Sequence, residues 1–496
     1  MSKKKRDPST LAPQSRPVSF ALIGLAGVTA ALPLVAGQIA IVGSGSDYSA
    51  GNFAWAGLLV LASFCAALID AARARRLAVP RTPLLLGVGL LILAAVVAAT
   101  RAGDRYDAIL GAAQIVLGGL YFVTVLLVVD SREKAVWLVA ALVAGAAASG
   151  ATGLLSRVTT PPSALLAYFE QYRPEVLRDH GITPGSPEEA QYRIRIAGDF
   201  VGTFAHPNVM AAYMATAAVV MLALLAGLWR RWRRDLPTAV AALALASDVG
   251  LCAAVIILSR GRAALLGCAV GIYLLVVMLR VKRTGRRAVL YALPLVAAVA
   301  LAAVAWHTAA LQGATTSLKF RGDYWQASWA MIRDHWAWGV GPENFGRYYL
   351  QYKLPTAPEE IHDPHNVIVW AWSEMGLLGL GGLVFLAAGA VREALRRGAG
   401  IVPVGGHSEN ELAVLKSWRM RTGFAVAVVA VVAGLALQGE GSWGEGALVT
   451  LLGLAFGLGV CAAGFLAALV LGWASEPAPG GRDALRCGLA AALVVL

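Results

Sequence analysis

The run His362-Asp363-Pro364-His365-Asn366 stands directly before a long apolar stretch and holds the best-placed proton acceptor in the chain. Asn366 or Asp363 suits a helix N-cap, where a side-chain oxygen takes an orphan backbone N–H. His365 is a poor cap, so capping alone does not account for it. A neutral imidazole at a membrane boundary can take a proton from a sugar hydroxyl. His362, Asp363 and His365 could instead ligate a metal with Glu359 or Glu360, but the set matches no stringent metal spacing. A second group is Ser259-Arg260-Gly261-Arg262, a minimal turn between two apolar runs. Guanidinium groups there either pair with carboxylates and headgroup phosphates or hold a phosphorylated substrate, because the planar fork fits phosphate oxygens bidentately.

Two carboxylates sit inside apolar runs: Glu374, in Ser373-Glu374-Met375-Gly376-Leu377-Leu378-Gly379, and Asp248. At that depth a carboxylate is costly and faces a polar cavity or a cationic partner. A further basic segment, Arg193-Ile194-Arg195, precedes Gly202-Thr203-Phe204-Ala205-His206-Pro207-Asn208. The piece Ala205-His206-Pro207-Asn208-Val209 echoes Asp363-Pro364-His365-Asn366-Val367, and both stand where a polar stretch gives way to an apolar one.

The elements that must position these groups are membrane spans. The chain is 58% hydrophobic and only 14% charged, outside the range of ordinary soluble domains. Apolar runs of spanning length fall at residues 18–42, 53–70, 84–99, 108–129, 135–155, 209–229, 238–258, 263–279, 288–305, 367–391, 424–437 and 447–471. Residues 487–496 begin a further run, too short to span. With residues 1–17 as a polar, disordered cytoplasmic tail, alternation puts nearly every dense basic cluster inside. These are Arg73/Arg75/Arg76/Arg81, Arg132/Lys134, Arg230/Arg231/Arg233/Arg234, Arg280/Lys282/Arg283/Arg286/Arg287 and Arg392/Arg396/Arg397/Lys416. The net charge of +13 therefore serves topology and anionic headgroups, and no nucleic-acid partner is expected. The five cysteines lie within or at the ends of apolar runs without a C-x-x-C pair, which argues against disulfides and zinc.

This reading predicts an all-α polytopic bundle of about twelve transmembrane helices, with a large external loop containing short amphipathic helices. Its parts are a tail at 1–17, N-terminal spans at 18–155, a first periplasmic loop at 156–208, central spans at 209–305, a large periplasmic loop at 306–366 and C-terminal spans at 367–496. In the large loop, Arg321-Gly322-Asp323-Tyr324-Trp325 starts an amphipathic helix. Its stripe of Trp325, Trp329, Ile332 and Trp336 suits the membrane interface. The glycines of Trp338-Gly339-Val340-Gly341-Pro342-Glu343-Asn344-Phe345 permit a tight turn.

Taken in order, residues 202–208, 259–262, 339–345, 364–366 and 374–379 resemble the motifs of the O-antigen ligase and O-antigen polymerase family of bacterial envelope proteins. The resemblance implies a metal-independent glycosyltransferase of the bacterial inner membrane, N-terminus cytoplasmic, with no cofactor. Its donor would be an undecaprenyl pyrophosphate-linked glycan, and its acceptor a hydroxyl on lipid, another glycan or protein. By that likeness His365 is the acceptor-activating base and Arg260 binds the pyrophosphate leaving group. Arg262, Arg195, Arg321, Glu374 and Asn366 are expected at the substrate. Two other readings compete. A peptidoglycan glycosyltransferase of the shape and division class would use an external acidic base, where this chain offers His365. A lipid-glycan flippase would use polar midplane helices and short loops; Asp248 and Glu374 fit that, and the two long external stretches do not.

Overall fold

The computed structural model describes residues 20–39, 50–73, 82–129, 132–159, 161–179, 182–186, 189–190, 192–193, 200, 202–204, 206–228, 236–281, 289–290, 293, 316–355, 357 and 361–395. All regular structure among them is helical: α1 (Phe20–Ile39), α2 (Ala50–Arg73), α3 (Pro83–Arg101), α4 (Arg105–Val128), α5 (Arg132–Thr159), α6 (Pro162–Gln171), α7 (Arg173–Asp179), α8 (Pro207–Leu228), α9 (Leu236–Leu258), α10 (Arg262–Arg280), α11 (Thr316–His335), α12 (Phe345–Tyr352) and α13 (Val367–Leu395). Six of them, α3, α4, α5, α8, α9 and α13, contain stretches long and apolar enough to cross a membrane. Shorter apolar stretches lie in α1 (Ala21–Pro33) and α10 (Ala263–Val277). The expected spans at 424–437 and 447–471 lie outside the described residues, and of 288–305 only Val289, Leu290 and Leu293 are described.

The helices pack in two groups. In the first, α8 is the centre, buried along most of its length and in contact with α5, α9 and α10. Its core joins Met210, Met214 and Met221 to Val143, Leu245 and Ile256. Helix α1 packs on α2 and α5, and α2 on α4, which links this group to the second. In the second, α13 lies along α3, and α11 and α12 also pack against it.

Small residues make the α3–α13 contact. A methyl group at Gly87 would come within 2.7 Å of the Leu386 amide nitrogen, and one at Gly382 within 2.9 Å of that of Leu91. Where lipid supplies no hydrophobic drive between helices, such close backbone approach supplies the packing. Local sequence fixes the ends of these helices. Thr82 accepts from Leu84 N at the start of α3, and Asp104 accepts from Tyr106 N and Asp107 N at the start of α4.

Helix α13 is broken at Gly376, whose φ of 64° and ψ of −157° are non-helical. A break in a spanning helix strands backbone groups that must be satisfied by a neighbour. The segment after α11 does this. Val340 N donates to Ser373 O at 2.9 Å, Gly341 N to Glu374 O at 2.9 Å, and Leu377 N to Ala337 O at 3.2 Å. Trp372 Nε1 adds a bond to Trp336 O at 3.2 Å. Both sides of this seam require glycine. A Cβ at Gly339 would overlap the Glu374 carbonyl, and one at Gly376 would meet the Ala337 carbonyl and come within 2.5 Å of Trp338 N.

Candidate active site

Asn366 is the N-cap of α13: its side-chain oxygen accepts from Ile368 N at 3.0 Å and Val369 N at 3.2 Å. The corresponding cap of α8 uses a different residue, His206, whose Nδ1 accepts from Asn208 N at 3.1 Å. The two similar sequences thus solve one problem in two ways. Where His206 is the cap, His365 is relieved of that duty by Asn366.

His365 has a left-handed backbone, φ 51°, and a side chain about half exposed. Its backbone N–H donates to Asp363 Oδ1 at 2.5 Å, and its ring Nδ1 lies 3.3 Å from the same oxygen. The ring also faces Tyr324 of α11, with centroids 6.3 Å apart, and Tyr324 in turn meets Tyr349 of α12 edge-on. Pro364 between them is fixed by Trp325, whose Nε1 donates to Pro364 O at 3.2 Å. His362 points elsewhere, packed on the backbone of Gly346 in α12.

Among the described residues, three non-glycine residues adopt left-handed φ: Arg260 (52°), Glu343 (60°) and His365 (51°). Each costs roughly 1–3 kcal/mol, which surrounding structure must offset, and such residues gather at functional sites. Two of these, Arg260 and His365, are site candidates that the sequence pointed to. Glu343 was not singled out; the available signal was its place after Gly341-Pro342 and before Asn344, a turn position that normally favours Gly or Asn. Its carboxyl is held above the usual carboxylate range, first by burial and then by Asp363 and Asp107. Asn344 beside it clamps the α3–α4 turn, accepting from Asp104 N at 2.8 Å and donating to Asp104 O at 2.9 Å.

Arg260 occupies the turn between α9 and α10, exposed, with no side-chain hydrogen bond or ion pair among the described residues. Gly261 lets this turn close on α8, where a methyl group would come within 2.7 Å of Ala211 Cβ. No hydrogen bond or ion pair joins Arg260 to the His365 group among the described residues; they sit in the two different helix groups. Arg262 opens α10. Its side chain, that of Arg321, and Arg195 altogether lie outside the described residues. Arg193 is committed elsewhere: it pairs with Glu170 and lies over the Phe169 ring at 5.7 Å. Nearby, Arg173 and Gly185 N hold Glu189, whose carboxyl is drawn down to about 2 by the guanidinium and then by the backbone N–H.

Glu374, expected at the substrate, is only 2% exposed, and its Oε2 has no hydrogen-bond partner among the described residues. It lies at the break in α13, where its own carbonyl accepts from Gly341 N. Its backbone is thus bonded to the 337–344 segment, while its carboxyl is buried. Of the expected stripe, Trp325, Trp329 and Trp336 are exposed, while Ile332 is buried, as are Tyr324, Ala327 and Met331 of the same helix.

Helices of spanning length and composition make this a multi-pass membrane protein, all-helical among the described residues. Residues 249–384, from within α9 to within α13, match the O-antigen ligase family model. The match covers four of the five motifs on which the likeness was read, from 259–262 to 374–379, and leaves residues 202–208 outside. Proteins of that family transfer glycan from a lipid-linked donor to an acceptor, and residues 249–384 are similar to them. Among curated proteins none matches the sequence.

Proposed function

We propose that the protein transfers an undecaprenyl pyrophosphate-linked glycan to an acceptor hydroxyl on lipid, glycan or protein at the periplasmic face of the inner membrane, without a metal or cofactor. The observation that carries this reading is His365: half exposed, strained, relieved of capping by Asn366, and inside the O-antigen ligase match. The acceptor O–H gives its proton to His365 as the oxygen attacks the anomeric carbon. The carbon–oxygen bond to pyrophosphate breaks, and undecaprenyl pyrophosphate leaves with the electron pair. A leaving group that departs already anionic is helped more by fixed cations than by an acid. Arg260, unpaired among the described residues, takes that role, with Arg262, Arg195 and Arg321 as further phosphate contacts. Asn366 offers the substrate its remaining amide N–H groups, and Glu374 supports the segment that walls the site.

In this proposal the chain forms a bundle of about twelve spans, with a cytoplasmic N-terminus and periplasmic loops at 156–208 and 306–366. Support comes from contacts between segments assigned to one side: Asn344 with the α3–α4 turn, Gly261 with the start of α8, and Thr203 Oγ1 with Pro33 O near the end of α1. The test is transfer by the purified protein, given undecaprenyl pyrophosphate-linked oligosaccharide and a panel of acceptors, with product followed by mass. Loss of product in folded His365→Ala and Arg260→Ala supports the reading. Transfer that survives loss of His365 removes the base, and movement of glycan across the bilayer without transfer favours a flippase.

A further inference from the structure

We infer that Asp363 is a positioning residue that fixes the tautomer and orientation of the His365 ring. This rests on the proposed role of His365 as base. The observation is a double engagement of one carboxylate oxygen: Asp363 Oδ1 takes the His365 backbone N–H at 2.5 Å and stands 3.3 Å from ring Nδ1. The backbone is thereby bonded to the same atom that the ring faces.

A carboxylate oxygen can only accept, so the ring nitrogen facing it is favoured as the protonated one. The Nδ1–H tautomer is then the one that the nearby charge of Asp363 favours, and Nε2 is left with its lone pair for an acceptor hydroxyl. As the imidazole takes the acceptor proton it becomes cationic, and the adjacent carboxylate stabilises that cation. This is the division of labour of an orienting aspartate beside a catalytic histidine, recognised by geometry rather than sequence position. The neighbours make the arrangement rigid. Tyr324 sits beside the ring, Trp325 holds Pro364 O, and the positive φ of His365 is tolerated because Asp363 closes the turn. His362, the other candidate for such a partnership, is packed against Gly346 instead.

A purely structural account competes: Asp363 closes the 363–365 turn and nothing more. Asp363→Asn separates the two, because an amide oxygen still accepts the His365 N–H while the charge is gone. The structural account predicts near wild-type transfer by Asp363→Asn and a defect only in Asp363→Ala. The positioning role predicts that Asp363→Asn lowers kcat by about tenfold to a hundredfold, within what an oriented base supplies, with KM for the donor little changed. Nitrogen-15 spectra of histidine-labelled protein in bilayers give a readout independent of turnover. The His365 signal is assigned by its loss in His365→Gln. In wild type at alkaline pH it is the Nδ1–H form, and in Asp363→Asn that preference falls. If the His365 signal is unchanged by Asp363→Asn, or its kcat is that of wild type, Asp363 does not position the base. If Asp363→Asn abolishes transfer while His365→Gln retains it, the aspartate itself is the base and the inference fails. Absence of transfer in wild type would refute the proposed function, while the spectra would still decide the Asp363–His365 pairing.

Discussion

Replacing Gly339 by alanine tests whether the seam between the 336–341 segment and the broken helix α13 holds the site together. The new methyl group would overlap the carbonyl of Glu374 and approach Met375 N to 2.5 Å, and the residue has φ of 73°. These neighbours are backbone atoms, so no rotamer change relieves the clash; the segment must move. Left-handed backbone in a residue with a Cβ costs roughly 1–2 kcal/mol. Displacing the segment also breaks the Val340 N–Ser373 O and Gly341 N–Glu374 O bonds, stranding two carbonyls. Each stranded group costs about 1–3 kcal/mol, which with the backbone strain makes a total of about 3–8 kcal/mol. Gly185→Ala is the control: its φ is 78°, but a methyl group there meets nothing within 4 Å, so only the roughly 1–2 kcal/mol of backbone strain applies. Thermal unfolding in one detergent, with proteolysis at 336–345 as the local probe, ranks the two variants against wild type. Gly339→Ala should lower the midpoint by clearly more than Gly185→Ala and expose the segment to protease. Equal midpoints would mean that the seam does not bear on stability.

Other expected outcomes follow from the same structure. His206→Ala removes the α8 cap and should cost about 1 kcal/mol while leaving glycan transfer nearly intact; His365→Ala should do the reverse, as unfolding midpoints and product yields will report. Asn366→Ala should destabilise the start of α13 by about 1 kcal/mol, seen as faster amide exchange at Ile368 and Val369, the two N–H groups it caps. Glu189 has its folded-state pKa depressed to about 2 from an ordinary 4.5, so its contribution is complete above about 4.5 and fades as pH falls toward about 2. Proteolysis of the 161–193 region should rise across that window in wild type and already be high in Glu189→Gln at neutral pH. Glu343 is the opposite case: burial raises its pKa, so the fold holds its proton longer than the unfolded chain does, and stability falls as pH rises past the ordinary carboxylate range. Glu343→Gln should raise the unfolding midpoint at pH 8 and leave it unchanged at pH 4; an equal effect at both would refute the burial argument.

Apolar runs were enough to read the six helices of spanning length seen among the described residues, because lipid demands long apolar stretches. The motif residues were equally legible: His365, Arg260 and the glycines at 339 and 376 each depart from what an apolar helix needs. Local chemistry also revealed that Asn366 and Asp363 were cap candidates, and the structure assigns the cap to Asn366 and the contact with His365 to Asp363. What remained hidden depends on residues distant in sequence. That Val340 and Gly341 bond to the carbonyls of Ser373 and Glu374 across the helix break could not be read from the sequence around Glu374. Arg193 looked available until folding brought it to Glu170, and Glu343 looked like an ordinary turn residue until its backbone proved left-handed. One-dimensional patterns record which face of an element meets lipid or water. They do not record which two elements meet, and that meeting decides which polar groups are already satisfied and which are left to act.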